Sequence, residues 1–224
     1  MENGSDRSTT SSRRYDASRR QADARARRLR IIEAARELFL EFGFGATPIE
    51  QVARAAEVSV QTIYAAFKGK AGLLAAAIDV AVAGDDSPEM VRERADHSWV
   101  TEQTDPVEWL RLATEQMRLV NERVAGLLHL LESVAGSDPA LAELAETLVE
   151  RRRDDCTFAI EVSPLDPESV GMTRDEAAEV LALFGGPSIW VELVVHRGWS
   201  PERFEQWIFG VLVQQFAPDR RESR

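Results

Sequence analysis

Apolar positions recur every three or four residues along most of the chain, and no segment alternates with the period of two that a strand needs. The pattern predicts an all-α protein. A first helix is expected over residues 24–42, with Ile31, Ala35, Leu38, Phe39 and Phe42 as its buried stripe and Gly43 and Gly45 as its stop. Thr47-Pro48 opens a second. Threonine caps well, proline suits the first turn, and Glu50 stands three residues after the cap, the pattern of a capping box. Ile49, Val52, Ala53 and Ala56 give it one apolar face, and it stops over Ala55-Ala56-Glu57-Val58. Ser59 can cap a third helix, residues 60–67, whose inward residues are Ile63 and Phe67. A fourth begins near Lys70, passes through the apolar residues 73–82 and ends at Gly84-Asp85-Asp86-Ser87-Pro88.

The same signals continue to the C-terminus. Ser87-Pro88 opens a short helix to about residue 98, and Asp105-Pro106-Val107-Glu108 caps a long one. Its stripe is Trp109, Ala113, Met117, Val120, Val124, Leu127, Leu131 and Val134, with Asn121 and Gly126 as points expected to break or bend it. Gly136-Ser137-Asp138-Pro139 starts the next, with Leu141, Leu144, Leu148 and Ala159 along one side. Residues 163–171 read as a loop. Thr173 with Glu176 is a second capping box, opening a helix to about residue 184. Gly185-Gly186-Pro187 interrupts, residues 189–197 are helical, Gly198 stops them, and Ser200-Pro201 opens the last helix. That helix is apolar on two faces, Phe204, Trp207, Ile208, Val211 and Leu212 on one and Phe209, Val213 and Phe216 on another. The helix before it, with Trp190, Leu193 and Val194, has the same character. Such helices are buried on more than one side. A second copy of the chain is the simplest cover, which predicts a homodimer through a four-helix interface made by the last two helices of each subunit. A monomer with its terminal helix at the centre of the fold is the alternative.

The third helix carries the chemistry. At 100° per residue Gln61 and Ala65 point furthest from Ile63 and Phe67, flanked by Thr62 and Tyr64. An amide, a hydroxyl and a phenol on a slim surface suit the DNA major groove. Lys68 and Lys70, the only lysines in the chain, follow at its C-terminal end, where phosphates could lie. The whole stretch resembles the helix-turn-helix of TetR-family transcription regulators. The matching residues are Thr47, Val52-Ala53, Val58-Ser59, Thr62-Ile63-Tyr64, Phe67, and Lys70 followed by Leu73-Leu74, with Phe42-Gly43-Phe44 closing the upstream helix. Three positions depart from that pattern: Glu57 stands where the family usually has glycine in the turn, Pro48 where threonine is common, and Gly72 where an acidic or helix-favouring residue is more usual.

The resemblance implies a three-helix DNA-binding domain over residues 25–80 and a larger helical ligand-binding and dimerisation domain over residues 81–224. It implies a homodimeric repressor on a palindromic operator, released by a small effector. Gln61, Thr62 and Tyr64 are expected at the DNA, with Ser59 and Lys68 beside them and Val60 against a thymine methyl. By the resemblance Thr47 and Lys70, and Tyr64 as well, go to phosphates. The RGWSPERFEQWI stretch is similar to C-terminal segments of some members.

Charge sharpens the division. The net charge is −11, yet residues 1–84 hold 13 basic against 10 acidic residues, or +3, and residues 85–224 hold 14 against 28, or −14. A basic end on an acidic body orients itself on DNA, although an acidic surface also serves solubility alone. Residues 1–24 are polar and predict a disordered arm, and nine arginines lie between Arg7 and Arg30, either solvated or near DNA.

Other functions find little support. No run of 18 apolar residues predicts a membrane span, and no apolar segment predicts a secretory signal, so a cytoplasmic protein is expected. Cys156 is alone, and the three histidines have no metal-ligand spacing, so neither metal nor cofactor is expected. Nucleophile-elbow, phosphate-loop and dinucleotide-loop motifs are absent, which argues against an enzyme. His129 with Glu132 reverses the order used in di-metal bundles. A helical adaptor binding protein alone would leave the outward face of the third helix unexplained. Trp109, Met117, His129, Phe158 and Trp190, together with Trp99, Gln116 and His196, are candidates for an effector pocket, and the few charges over residues 127–131 suggest an apolar one. Each of these side chains fits a plain core or surface role equally well.

Overall fold

A helix of 40 residues, α1 (Arg7–Ala46), opens the described part of the chain. The computed structural model describes residues 7–84 and 98–217, and every regular element within them is helical. The chain folds as two units, Met1–Ala77 and Ile78–Arg224.

In the first unit α1 starts well before the expected residue 24. The described part of the predicted disordered arm, residues 7–24, is helical, and Met1 to Asp6 lie outside the described residues. No glycine or proline occurs between Ser5 and Phe42, and alanine, arginine and glutamine are good helix formers. Gly43 (φ 83°, ψ 161°) breaks the helix near its end. That break corrects the predicted stripe. Ile31, Ile32, Ala35 and Phe39 are buried and Leu38 half-buried, but Phe42 is 48% exposed. Past Gly43 the helical period restarts, and Phe44 instead sets its ring 5.5 Å from that of Phe39. Two short helices follow, α2 (Ile49–Ala55) burying Ile49, Val52 and Ala53, and α3 (Val60–Phe67) burying Ile63 and Phe67. Helix α4 (Lys70–Ala83) carries the chain onward and closes at Gly84, whose φ of 82° suits a residue without a side chain. The breaker at residues 85–88 and the short helix expected after it lie outside the described residues.

The second unit continues with α5 (Trp99–Glu102), α6 (Pro106–Val134), α7 (Pro139–Val162), α8 (Arg174–Phe184), α9 (Pro187–Trp190) and α10 (Pro201–Phe216). Helices α6, α7, α8 and α10 start where the sequence marks them, whereas α5 is not among the expected helices. Asp105 accepts from the Val107 and Glu108 amides, Asp138 from Ala140, and Ser200 from Arg203, while Thr173 and Glu176 form a reciprocal capping box. Asn121 and Gly126 do not break α6; Asn121 is buried, and its Nδ2 donates to the Gly185 carbonyl at 3.0 Å. Helix α9 runs on into a π-helical turn, Val191–His196. The core gathers Trp109 and Leu110 of α6, Ile160 of α7, Leu181 of α8, Trp190, and Phe204, Ile208 and Leu212 of α10. Residues Arg174–His196 are long and apolar enough to cross a bilayer by length and composition alone, a test that core helices of soluble proteins also pass. Within that stretch Leu183 and Val195 are 63% and 61% exposed.

Candidate nucleic-acid interface

The outward face of α3 is held by caps at both ends. Ser59 accepts the Thr62 amide at 3.1 Å, and its Oγ lies 2.9 Å from the Thr62 hydroxyl oxygen. At the other end Lys68 turns left-handed (φ 59°), and its amide donates to the Tyr64 carbonyl at 2.9 Å. The turn from α2 to α3 closes when the Val58 amide donates to the Ala53 carbonyl at 2.9 Å. Glu57 there has φ 55°, a conformation that glycine adopts far more readily. With Ile63 and Phe67 buried, Ser59, Gln61, Tyr64, Ala65, Ala66 and Lys68 are exposed and Val60 and Thr62 half-buried. The face offers one amide, hydroxyls and a phenol, flanked by two alanines that leave room for close approach.

Thr47 and Lys70 have other roles than the phosphate contacts expected of them. Thr47 is fully buried, and its hydroxyl lies 3.1 Å from the Leu38 carbonyl and 2.8 Å from the Gly43 carbonyl. It does not cap α2, whose cap position is Pro48 without a side-chain bond, so the Thr47-Glu50 capping box is not formed. The hydroxyl turns back instead to the end of α1, where the break at Gly43 leaves carbonyls without helical partners. Lys70 does the same from the other side. Its Nζ donates to the carbonyls of Phe44 (2.6 Å), Thr47 (3.2 Å) and Gly45 (3.5 Å) and lies 4.4 Å from the Phe44 ring centroid. An ammonium has three donors, and all three are engaged. Desolvation lowers its pKa.

Gly72, one of the departures, has a steric reason. A Cβ there would lie 2.0 Å from the Phe67 carbonyl oxygen, the last of α3, so α4 can start this close to α3 only with glycine at that place. Arg28 of α1 stacks over the Phe67 ring at 4.8 Å.

Residues 31–77, the segment that builds this face, match the family model for bacterial regulatory proteins of the tetR family. Those residues thus form a DNA-binding domain of the tetR type. No curated protein matches the chain significantly. Among solved structures it is similar to NalD, the secondary repressor of the MexAB-OprM multidrug efflux pump in Pseudomonas aeruginosa, with 24% identity, 88% of this chain and 99% of that chain covered, and a TM-score of 0.63. A transcriptional regulator from Rhodococcus sp. Rha1 is similar at 17% identity over 84% of this chain and 97% of that chain, with a TM-score of 0.58. At such identities the likeness is one of fold, and it extends through both the TetR-family domain and the helical unit that follows.

The effector candidates do not converge. Trp109 is buried, stacks on Trp99 at 5.7 Å and donates its indole N–H to the Val100 carbonyl at 3.1 Å, which makes it a core residue. Trp190 is buried against Phe204 at 5.0 Å. His129 is exposed on α6, 6.2 Å from the ring of His196. Phe158 is half-buried on α7. Met117 alone reaches the break between α8 and α9, its Sδ and Cε 3.0 Å from where a Gly185 Cβ would stand. Asn121 and Arg152, neither among the effector candidates, also stand at that break. The signal for Asn121 was a polar side chain within an apolar stripe.

Proposed function

We propose that the protein is a repressor that binds a palindromic operator as a homodimer and leaves it when a small hydrophobic effector binds the C-terminal unit. The observation that carries the reading is the outward face of α3, on which Gln61 and Tyr64 stand exposed beside Thr62 on a helix capped at both ends. In this reading Gln61 and Thr62 read base edges, Val60 meets a thymine methyl, and Tyr64, Ser59 and Lys68 position the helix on the backbone. The helix with Trp190, Leu193 and Val194 and the aromatic side of α10, the last two helices of each subunit, supply a four-helix dimer contact. Two-fold symmetry would space the half-sites about 34–36 Å apart or a multiple of that. A regulator of this kind works in the cytoplasm, where the DNA is.

Selection from a random duplex library at moderate salt tests the reading. A palindromic consensus is expected, and Gln61→Ala should relax base preference at one position of each half-site, at a cost of about 1–3 kcal/mol for a bidentate contact. Absence of enrichment, with no binding at low salt either, would sink it.

A further inference from the structure

We infer that Arg152 and Asn121 form the anion-recognising end of the effector site, and that the effector is a hydrophobic carboxylic acid carrying a hydroxyl or N–H donor near its carboxylate. This inference rests on the reading that the C-terminal unit takes an effector.

Two polar groups at one place lack a protein partner. Asn121 on α6 is 1% exposed, and with its Nδ2 on the Gly185 carbonyl its Oδ1 is buried without any hydrogen bond. Arg152 on α7 reaches the same break, its Nη1 2.9 Å from where a Gly186 Cβ would stand. Among the described residues Arg152 closes no ion pair and no hydrogen bond. Glu132 and Asp155 are both exposed and act on it only through space, and burial lowers its pKa. Cys156 offers no thiolate, because burial pushes its thiol up to about 11.

A guanidinium stays protonated inside a protein. Arg152 is half-buried with no carboxylate against it, and a planar fork matches a carboxylate with two parallel bonds. Asn121 Oδ1 only accepts, so the atom it lacks is a donor. Gly185 and Gly186 add no side chains of their own to the break, and Met117, which packs against the apolar core of the unit, lies beside it. Met117 lies against Gly185, and an unbranched thioether with three rotatable bonds is readily displaced. A ligand entering there would set its carboxylate on Arg152, its donor on Asn121 and its hydrocarbon body where Met117 now lies.

The test titrates the full chain calorimetrically with hydrophobic hydroxy acids, 2-hydroxybenzoate and 2-hydroxyoctanoate among them, each beside its primary amide. Acids are expected to bind about tenfold or more tightly than their amides. Arg152→Gln should erase that difference while leaving helicity and ligand-free DNA binding unchanged. Amides binding as well as acids, or a preference that survives Arg152→Gln, would overturn the anion site and leave the effector reading intact. Failure of both series to bind a folded protein at about 1 mM would remove both readings.

Discussion

Replacing Gly72 with alanine should damage the DNA-binding unit although alanine is the better helix former. The new Cβ would lie 2.0 Å from the Phe67 carbonyl oxygen and 3.2 Å from its carbonyl carbon. A carbon meets such an oxygen comfortably at about 3.3–3.6 Å, so the overlap exceeds about 1 Å. The obstacle is backbone and cannot rotate away. Relief therefore moves the end of α3 against the start of α4. Overpacking of this kind costs about 1–3 kcal/mol, against a gain of about 1 kcal/mol from helix propensity. A net loss of up to about 2 kcal/mol lowers Tm by up to roughly 16 °C in a unit of this size. If α3 reads the DNA as proposed, affinity should fall further than stability does, because the strain is relieved by α3 itself. A thermal melt and an operator titration at fixed salt measure the two effects. A higher Tm with unchanged affinity would refute the reasoning, since propensity alone would then govern the site.

Three further outcomes follow from the same unit and its neighbour. Lys68→Ala should weaken all DNA sequences alike and reduce the salt slope by about 1, whereas Lys70→Gln should lower Tm and leave the slope nearly unchanged; slopes measured from about 50 to 200 mM salt separate the two. Glu57→Gly should raise stability by up to about 1 kcal/mol, because relief of the left-handed backbone exceeds the entropy that glycine adds to the unfolded chain, and a denaturant midpoint that falls would contradict it. Cys156, with its thiol pushed up to about 11 by burial, should resist alkylation at pH 8 while the protein is folded and react on unfolding; rapid native labelling would show that the thiol is not shielded as described.

The helices were legible because their starts are written locally. Ser59, Asp105, Asp138, Thr173 and Ser200 each mark a start and each bonds the amides expected of it. Ile63 and Phe67 fixed the inward side of α3 and so its outward one. What escaped depends on distance along the chain or on a broken period. Phe42 was assigned to the core by extending a repeat through Gly43, where the backbone leaves the helix. Thr47 and Pro48 imitate a helix start, and nothing local reveals that the hydroxyl turns back toward Leu38. Lys70 binds carbonyls 23–26 residues upstream, a relation no window of sequence contains. The arm was read as disordered from its polarity, although its lack of glycine and proline left a helix open.

The two lysines stand two residues apart and are chemically unequal. Lys70 has its ammonium against three carbonyls and the Phe44 ring, while Lys68 is exposed. Lys68 is therefore the more open of the two to an acylating reagent, and it lies at the C-terminal end of α3. Every acyl group added to Lys68 removes one positive charge from the exposed end of α3, whereas one added to Lys70 must first free its ammonium from the three carbonyls.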